Sequence, residues 1–372
     1  MLEQSAINGF IGFALKLIQN TAQAGKNVLV SPYSVMQALR IAAAGAKGET
    51  RSEILSAMNL HDESECCVYS LTPDTENVKL LVANSAWIRQ NYPLRDDYIH
   101  TITVNNLCDI FQVPFDSSTV KQINHWIGEK TDHMIPSIVS RFSDQTALCL
   151  INAVCFEADW IRPYREVDLQ VYRFTAADGE NQLITMMMQH DDSYLKDEHA
   201  EGFIAYYRCK AYAFAAFLPE EGMTPEEYLA GLTPERLFRT LSEPVRSKNE
   251  VITGLPKFKY EFDSPLNDAL MNAGMQKAFQ IKEADFSGMT DDPAGLYLSK
   301  VLHKTFIEVT PFGTRAGAGT FVDWAAGCIP DPEPKRIILS RPFVYLIFDM
   351  QTKLPLFIGT VNSIPNDPEE KE

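Results

Sequence analysis

The stretch Pro311–Lys335, PFGTRAGAGTFVDWAAGCIPDPEPK, decides how the rest of the chain is read. It lies between two runs of strand character, Val301–Thr310 before it and Arg336–Leu339 after it. Structureless connections longer than ~12–15 residues in a compact domain are functional or disordered, and this one has about 25 residues of low burial potential. Its first half nevertheless alternates. A strand turns successive side chains to opposite faces. Thr314, Ala316, Ala318, Thr320 and Val322 would share one face; Arg315, Gly317, Gly319, Phe321 and Asp323 the other. The first set is small or apolar and uncharged, and both charges fall in the second. Two readings fit: a flexible Gly/Ala-rich loop, or a segment with two homes, an exposed loop and an inserted strand. Small inward residues suit the second, because packed interiors leave few voids for an incoming strand.

Outward from this stretch, the C-terminal third is rich in strand patterns: Val251–Tyr260, Val301–Thr310, Arg336–Leu339, Phe343–Asp349 and Leu356–Val361. The first third reads as helical. Phe10, Phe13, Leu17 and Ile18 recur at helical spacing, and Ser34–Ala46 follows the start signal Ser31-Pro32. Between them, Leu80–Ile88 and Ala147–Phe156 are apolar runs of strand length, and Gln122–Met134 is expected to be a helix ending at Pro136. Leu218–Glu235 reads as a surface loop leading into short helices. No repeat or linker divides the chain, so the expectation is one α+β domain over residues 1–372.

Composition narrows the function. With 372 residues, 45% of them hydrophobic, the chain can bury a large core. A formal net charge of −16 argues against a nucleic-acid or heparin surface, and Leu60–Glu76 is acidic without Lys or Arg. No run approaches a membrane span. The seven cysteines, Cys66, Cys67, Cys108, Cys149, Cys155, Cys209 and Cys328, form neither a disulfide framework nor a CxxC metal pattern. No metal or cofactor is expected, and no Asn-x-Ser/Thr sequon occurs. An enzyme is disfavoured: there is no G-x-S-x-G or H-E-x-x-H, and His125 and His133 stand eight apart. Gly45–Thr50 lacks the spacing of a phosphate loop.

Ten blocks, in order, carry a family resemblance: NVLVSPYSVMQAL, GAKGETRSEIL, ANSAWI, INHWIGEKT, INAVCFEADW, LPKFKYEF, ADFSGM, VLHKTFIEV, SRPFVYLIFD and LPLFIGTVN. The chain thereby resembles the serpins over nearly its whole length. The resemblance implies three β-sheets, about eight or nine helices and an exposed reactive-centre loop at about 311–336. Gly313 and Thr314 would open the loop hinge, continuing through Arg315, Ala316, Gly317, Ala318, Gly319 and Thr320. Family spacing puts the scissile bond between Gly327 and Cys328, with Ala326-Gly327 the next choice. Ser31, Ser34, Asn152 and His303 would form a polar shutter under the central sheet, although a lone Ser at a helix start is also an ordinary cap. Trp160 and Lys257 would mark the breach where the hinge enters.

The implied activity is irreversible trapping of target serine proteases in a covalent complex by a monomer, extracellular in preference to cytoplasmic. The alternative is a non-inhibitory serpin that binds or carries a ligand. Ala325, Ala326 and Gly327 suit shallow pockets of the elastase or subtilisin type. Cys328 is read as an incidental neighbour of the bond, with a redox-sensitive thiol as the other reading. The chain departs from the family pattern in several places. Pro311 and Phe312 stand where an acidic residue is common, so an ion pair from Lys257 to that position cannot form. Arg315 replaces another commonly acidic residue, Gly317 and Gly319 replace alanine, and Trp324 is bulky for an inward position.

Overall fold

The computed structural model describes residues 3–61, 78–104, 108–314 and 334–365. The chain runs α1 (Gln4–Thr21), β1 (Val28–Val30), α2 (Pro32–Gly45), α3 (Gly48–Ala57), β2 (Val78–Arg89), α4 (Asp96–Val104), β3 (Asp109–Val113), α5 (Ser117–Lys130) and β4 (Leu148–Asp159). Four strands follow: β5 (Leu169–Thr175), β6 (Asn181–Lys196), β7 (Ala200–Tyr206) and β8 (Tyr212–Pro219). Then come α6 (Pro225–Gly231), α7 (Pro234–Ser242), β9 (Val245–Pro256), β10 (Phe258–Pro265) and α8 (Asn267–Asn272). The chain closes with β11 (Leu298–Val309), β12 (Gly313–Thr314), β13 (Lys335–Ile338), β14 (Phe343–Asp349) and β15 (Pro355–Val361).

Local chemistry explains most boundaries. Pro32 sits in the first turn of α2, and the Ser31 hydroxyl accepts from Ser34 N–H, which fixes the helix start. The helix expected over Gln122–Met134 starts five residues earlier, because Asp116 caps it by accepting from Ser118 and Thr119 N–H. It ends at Lys130, well before Pro136, because Asp132 and His133 turn left-handed at φ 51° and 59°. The strand expected over Val251–Tyr260 is two strands in different sheets. Pro256 ends β9, having no N–H for the ladder, and Lys257 is the joint. Of the loop anticipated over 311–336, Gly313–Thr314 at one end and Lys335–Arg336 at the other belong to strands.

The strands form two ladders. One runs β10-β11-β12-β4-β2-β3; the other runs β1-β15-β14-β8-β7-β6-β9-β13, with β5 on β6. The long β6 divides the second ladder into two layers. Its C-terminal end pairs with β7 only at Leu195–Gly202 and Lys196–Glu201, while residues before that pair with β5 and β9. This gives the three sheets and, among the described residues, eight α-helices. α1 and α2 pack their apolar stripes against β15, an aromatic core fills the space between the sheets, and α5 covers β2 and β4.

Candidate functional site

The site is a seam with a strand seated at its head. β4 and β11 pair in parallel from Leu148–Leu298 to Cys155–Phe306. Beyond Cys155 they part, and β12 enters between them: Thr314 pairs with Ala158 on one side and Val309 on the other, antiparallel to both. The chain reaches this position through a tight turn in which Thr310 N–H and Oγ1 donate to Gly313 C=O at 2.9 and 3.0 Å. Position 313 admits only glycine. A Cβ there would stand 2.2 Å from Ala158 O.

Thr314 is 1% exposed, and its Oγ1 lies 2.6 Å from the Tyr207 hydroxyl. It faces inward, as the alternation of its stretch requires. The Tyr207 ring stacks on Trp160 at 4.6 Å between centroids. Trp160 in turn holds the turn: its Nε1–H donates to Thr310 O and its N–H to Phe312 O, each at 2.9 Å. Tyr164 N–H donates to Pro311 O at 2.8 Å. Lys257 lies one residue beyond the Phe258–Val309 pair, at the same end of the sheet as Thr310, and its N–H donates to Thr185 O at 2.9 Å.

Lower in the seam, the structure brings Ser31, Ser34, Asn152 and His303 together, all with no exposed surface. Asn152 and His303 are register partners across β4 and β11. Ser31 N–H donates to His303 Nε2 at 3.1 Å. That ring nitrogen is therefore the acceptor, so Nδ1 carries the proton and donates to Asn152 Oδ1 at 2.5 Å. The Asn152 amide NH₂ donates to Ser34 C=O at 3.0 Å and to Asn84 Oδ1 at 2.5 Å, and contacts Ser34 Oγ. Burial pushes the imidazole down from 6.5 to about 3, so it is neutral near pH 7. Ser31 both caps α2 and joins this cluster, so its two sequence readings hold together.

Arg315, Ala316, Gly317, Ala318, Gly319, Thr320, Ala326, Gly327 and Cys328 lie outside the described residues. Sequence reasoning missed Asn84, Tyr207, Thr310 and Tyr164. Asn84 left a signal, an amide inside the apolar run ANSAWI; the others left none. Among the described residues, no group of three or more His, Cys, Asp and Glu could hold a metal ion, and no helix is long and apolar enough to cross a membrane. The four described cysteines are free thiols; burial pushes those of Cys108 and Cys149 up to about 12.

Comparison with known proteins agrees with this geometry. The family model described as serpin, serine protease inhibitor, matches residues 9–364. An uncharacterized serpin-like protein of Thermococcus kodakarensis is 30% identical, with 96% of this chain and 85% of the relative covered. The thermophilic serpin tengpin in its native state superposes with a TM-score of 0.91 at 36% identity, covering 98% of this chain and 95% of that one. Tengpin in its latent state gives 0.83 at 33% identity, covering 98% and 99%. Thyroxine-binding globulin in complex with thyroxine has the same fold at a TM-score of 0.84 and 22% identity, over 98% and 100% of the two chains. The chain belongs to the serpin family.

Proposed function

We propose that this serpin is an irreversible suicide-substrate inhibitor of serine proteases. The observation that carries the reading is Thr314, buried between β4 and β11 as the first rung of a strand that the next residues are built to continue. The protease serine attacks the Gly327 carbonyl carbon and the bond to Cys328 breaks. The new amine leaves with a proton from the protease's general acid, and Gly327 stays esterified to the serine. Ala326-Gly327 is the alternative bond. Cut from its C-terminal anchor at β13, the loop is free to zip down the seam from Thr314 and carry the attached protease with it.

Energetics support this course. Eight register pairs join β4 and β11 in parallel. Insertion exchanges that parallel ladder for two antiparallel ones, which are slightly more stable per residue. The net gain is about one hydrogen bond per inserted residue, ~0.5–1.5 kcal/mol each, or roughly 4–12 kcal/mol over the seam. Loss of one oxyanion-hole donor slows acyl chemistry by ~10²–10³, so a distorted protease stays trapped. The small residues at 325–327 point to elastase-like or subtilisin-like targets, met outside the cell by a monomer.

The second reading, a non-inhibitory binding protein, draws on Pro311 and Phe312 at a commonly acidic position and on the thyroxine-bound neighbour. The two separate on a gel. The protein is mixed with pancreatic elastase, neutrophil elastase and subtilisin, and an SDS-stable complex is sought. Complex formation with release of a peptide beginning at Cys328 supports trapping; cleavage without complex by all three removes it.

A further inference from the structure

The seam keeps one register on both sides of β12. In the parallel ladder Cys149 lies opposite Lys300 and Cys155 opposite Phe306. At the head, Thr314 stands between Ala158 and Val309, which continue the same offset. β4 and β11 therefore need only part, without sliding, to admit more strand. The residues after Thr314 lie outside the described ones, but a strand continued antiparallel from this rung has its neighbours fixed. Arg315 comes between Glu157 and Glu308, and Asp323 between Cys149 and Lys300. Phe321 comes between Ile151 and Leu302, both in the core under α5. Gly319 and Gly317 fall beside the two bulky side chains on that face, Lys304 and Phe306.

Both charges of this stretch thus meet their opposites. Lys300 has no ion-pair partner among the described residues; it rests over the Phe142 ring at 5.7 Å and lies close enough to Cys149 to act on its thiol across the seam. Glu157 has none there either, and its neighbour on β2, Lys79, is paired with Asp132. Glu308 reaches Lys259 at 3.6 Å, both side chains partly exposed. Slippage is costly in each direction. One residue turns every side chain to the other face. Two residues toward the head set Asp323 between Ile151 and Leu302, 0% and 7% exposed, and two toward the base set Arg315 beside fully buried Cys155. Each leaves an unpaired charge among apolar groups.

We propose that Glu157, Glu308 and Lys300 set the register of the inserted strand by charge: the two carboxylates receive Arg315 at the head of the seam, and the ammonium receives Asp323 near its base. The inference rests on the trapping reading and adds to it a code written in this chain's own side chains. Arg315, which departs from the acidic residue common in the family, is the matched residue here, because a carboxylate in its place would stand between two others. The pairs form only once the strand is in, so they favour the inserted state over the exposed loop. Opposite charges at the two ends of the segment admit one alignment, and a strand that enters out of step loses both pairs.

The test uses the full chain, intact and nicked after Gly327, with the nicked monomer isolated by gel filtration so that its own loop supplies the strand. The readout is the rise in unfolding midpoint on nicking. Asp323→Lys and Lys300→Glu are each expected to lower that rise by about 1–2 °C, and the two together to restore most of it. Arg315→Glu and Glu157→Lys are expected to behave in the same way, singly and combined, and both effects should shrink in ~1 M salt. Single variants that all rise as far as wild type overturn the proposal and leave the trap standing; no rise in wild type overturns both. A crystal structure of the nicked wild type needs no variant. It is expected to place Asp323 within ~4 Å of Lys300 and Arg315 within ~4 Å of Glu157 or Glu308, and an inserted strand in any other register contradicts the proposal.

Discussion

Asn152 Oδ1 and His303 Nδ1 stand 2.5 Å apart across the parallel seam of β4 and β11, so one hydrogen bond ties together the two strands that the proposed insertion would part. Ser31 and Asn84 fix its two partners from either side. Asn152→Ala removes the tie and leaves a buried imidazole N–H unpaired, a cost of about 1–3 kcal/mol. The variant is predicted to melt earlier than wild type and to lose inhibitory activity faster on warming, measured by thermal unfolding and residual complex formation.

The same imidazole predicts a pH dependence. In the unfolded chain His303 titrates near 6.5, and in the fold it is held near 3 by burial. Between those values the unfolded state binds the extra proton, so stability rises with pH, by up to about 1.4 kcal/mol per unit from this group alone. Its contribution is complete above pH ~6.5 and is withdrawn as pH falls toward 3. Thermal unfolding between pH 5 and 7.5 should steepen toward acid in wild type, and His303→Gln should flatten that part of the curve. Parallel curves for the two proteins would contradict the assignment.

At the hinge, two substitutions act through different causes. Gly313→Ala places a methyl against Ala158 O and displaces the turn. Thr314→Arg asks the sheet to accept an unpaired charge where wild type has a side chain bonded to Tyr207. Both are predicted to leave cleavage by elastase intact while raising the number of serpin molecules consumed per protease trapped by about tenfold or more, since ~1.4 kcal/mol on the insertion branch suffices. Titration of active protease measures it.

Gly317 and Gly319 would lie inside the strand that the proposed insertion adds. Each glycine in a strand interior costs roughly 0.5–1 kcal/mol relative to alanine. Gly317→Ala with Gly319→Ala is predicted to raise the unfolding temperature of the cleaved form more than that of the intact form. Scanning calorimetry of both forms reads the difference.

Thr314 was legible as an inward position because a strand written in small residues alternates even where composition says loop, and the residue is buried between β4 and β11. The family blocks named Ser31, Ser34, Asn152 and His303, which share one buried polar cluster, but only packing reveals that Asn84 joins it. The four strands between Leu169 and Pro219 escaped sequence reading. The exposed stretches of β5 and β6 mix Arg173, Thr175, Asp191 and Asp192 with apolar residues, and β6 serves two layers, so no single period runs along it. The loss of an acidic residue before the hinge looked like a missing anchor. The structure supplies another one: Trp160 and Tyr164 hold the carbonyls of Phe312 and Pro311, and a backbone carbonyl leaves no trace in a sequence.

The most direct measurement compares the thermal unfolding of the intact protein with that of the same protein nicked once between Thr320 and Glu333. Insertion worth roughly 4–12 kcal/mol should lift the midpoint of the nicked form by at least about 5 °C for a chain of this size. An equal or lower midpoint after nicking would mean that no strand was gained, and the proposed trap would have no driving force.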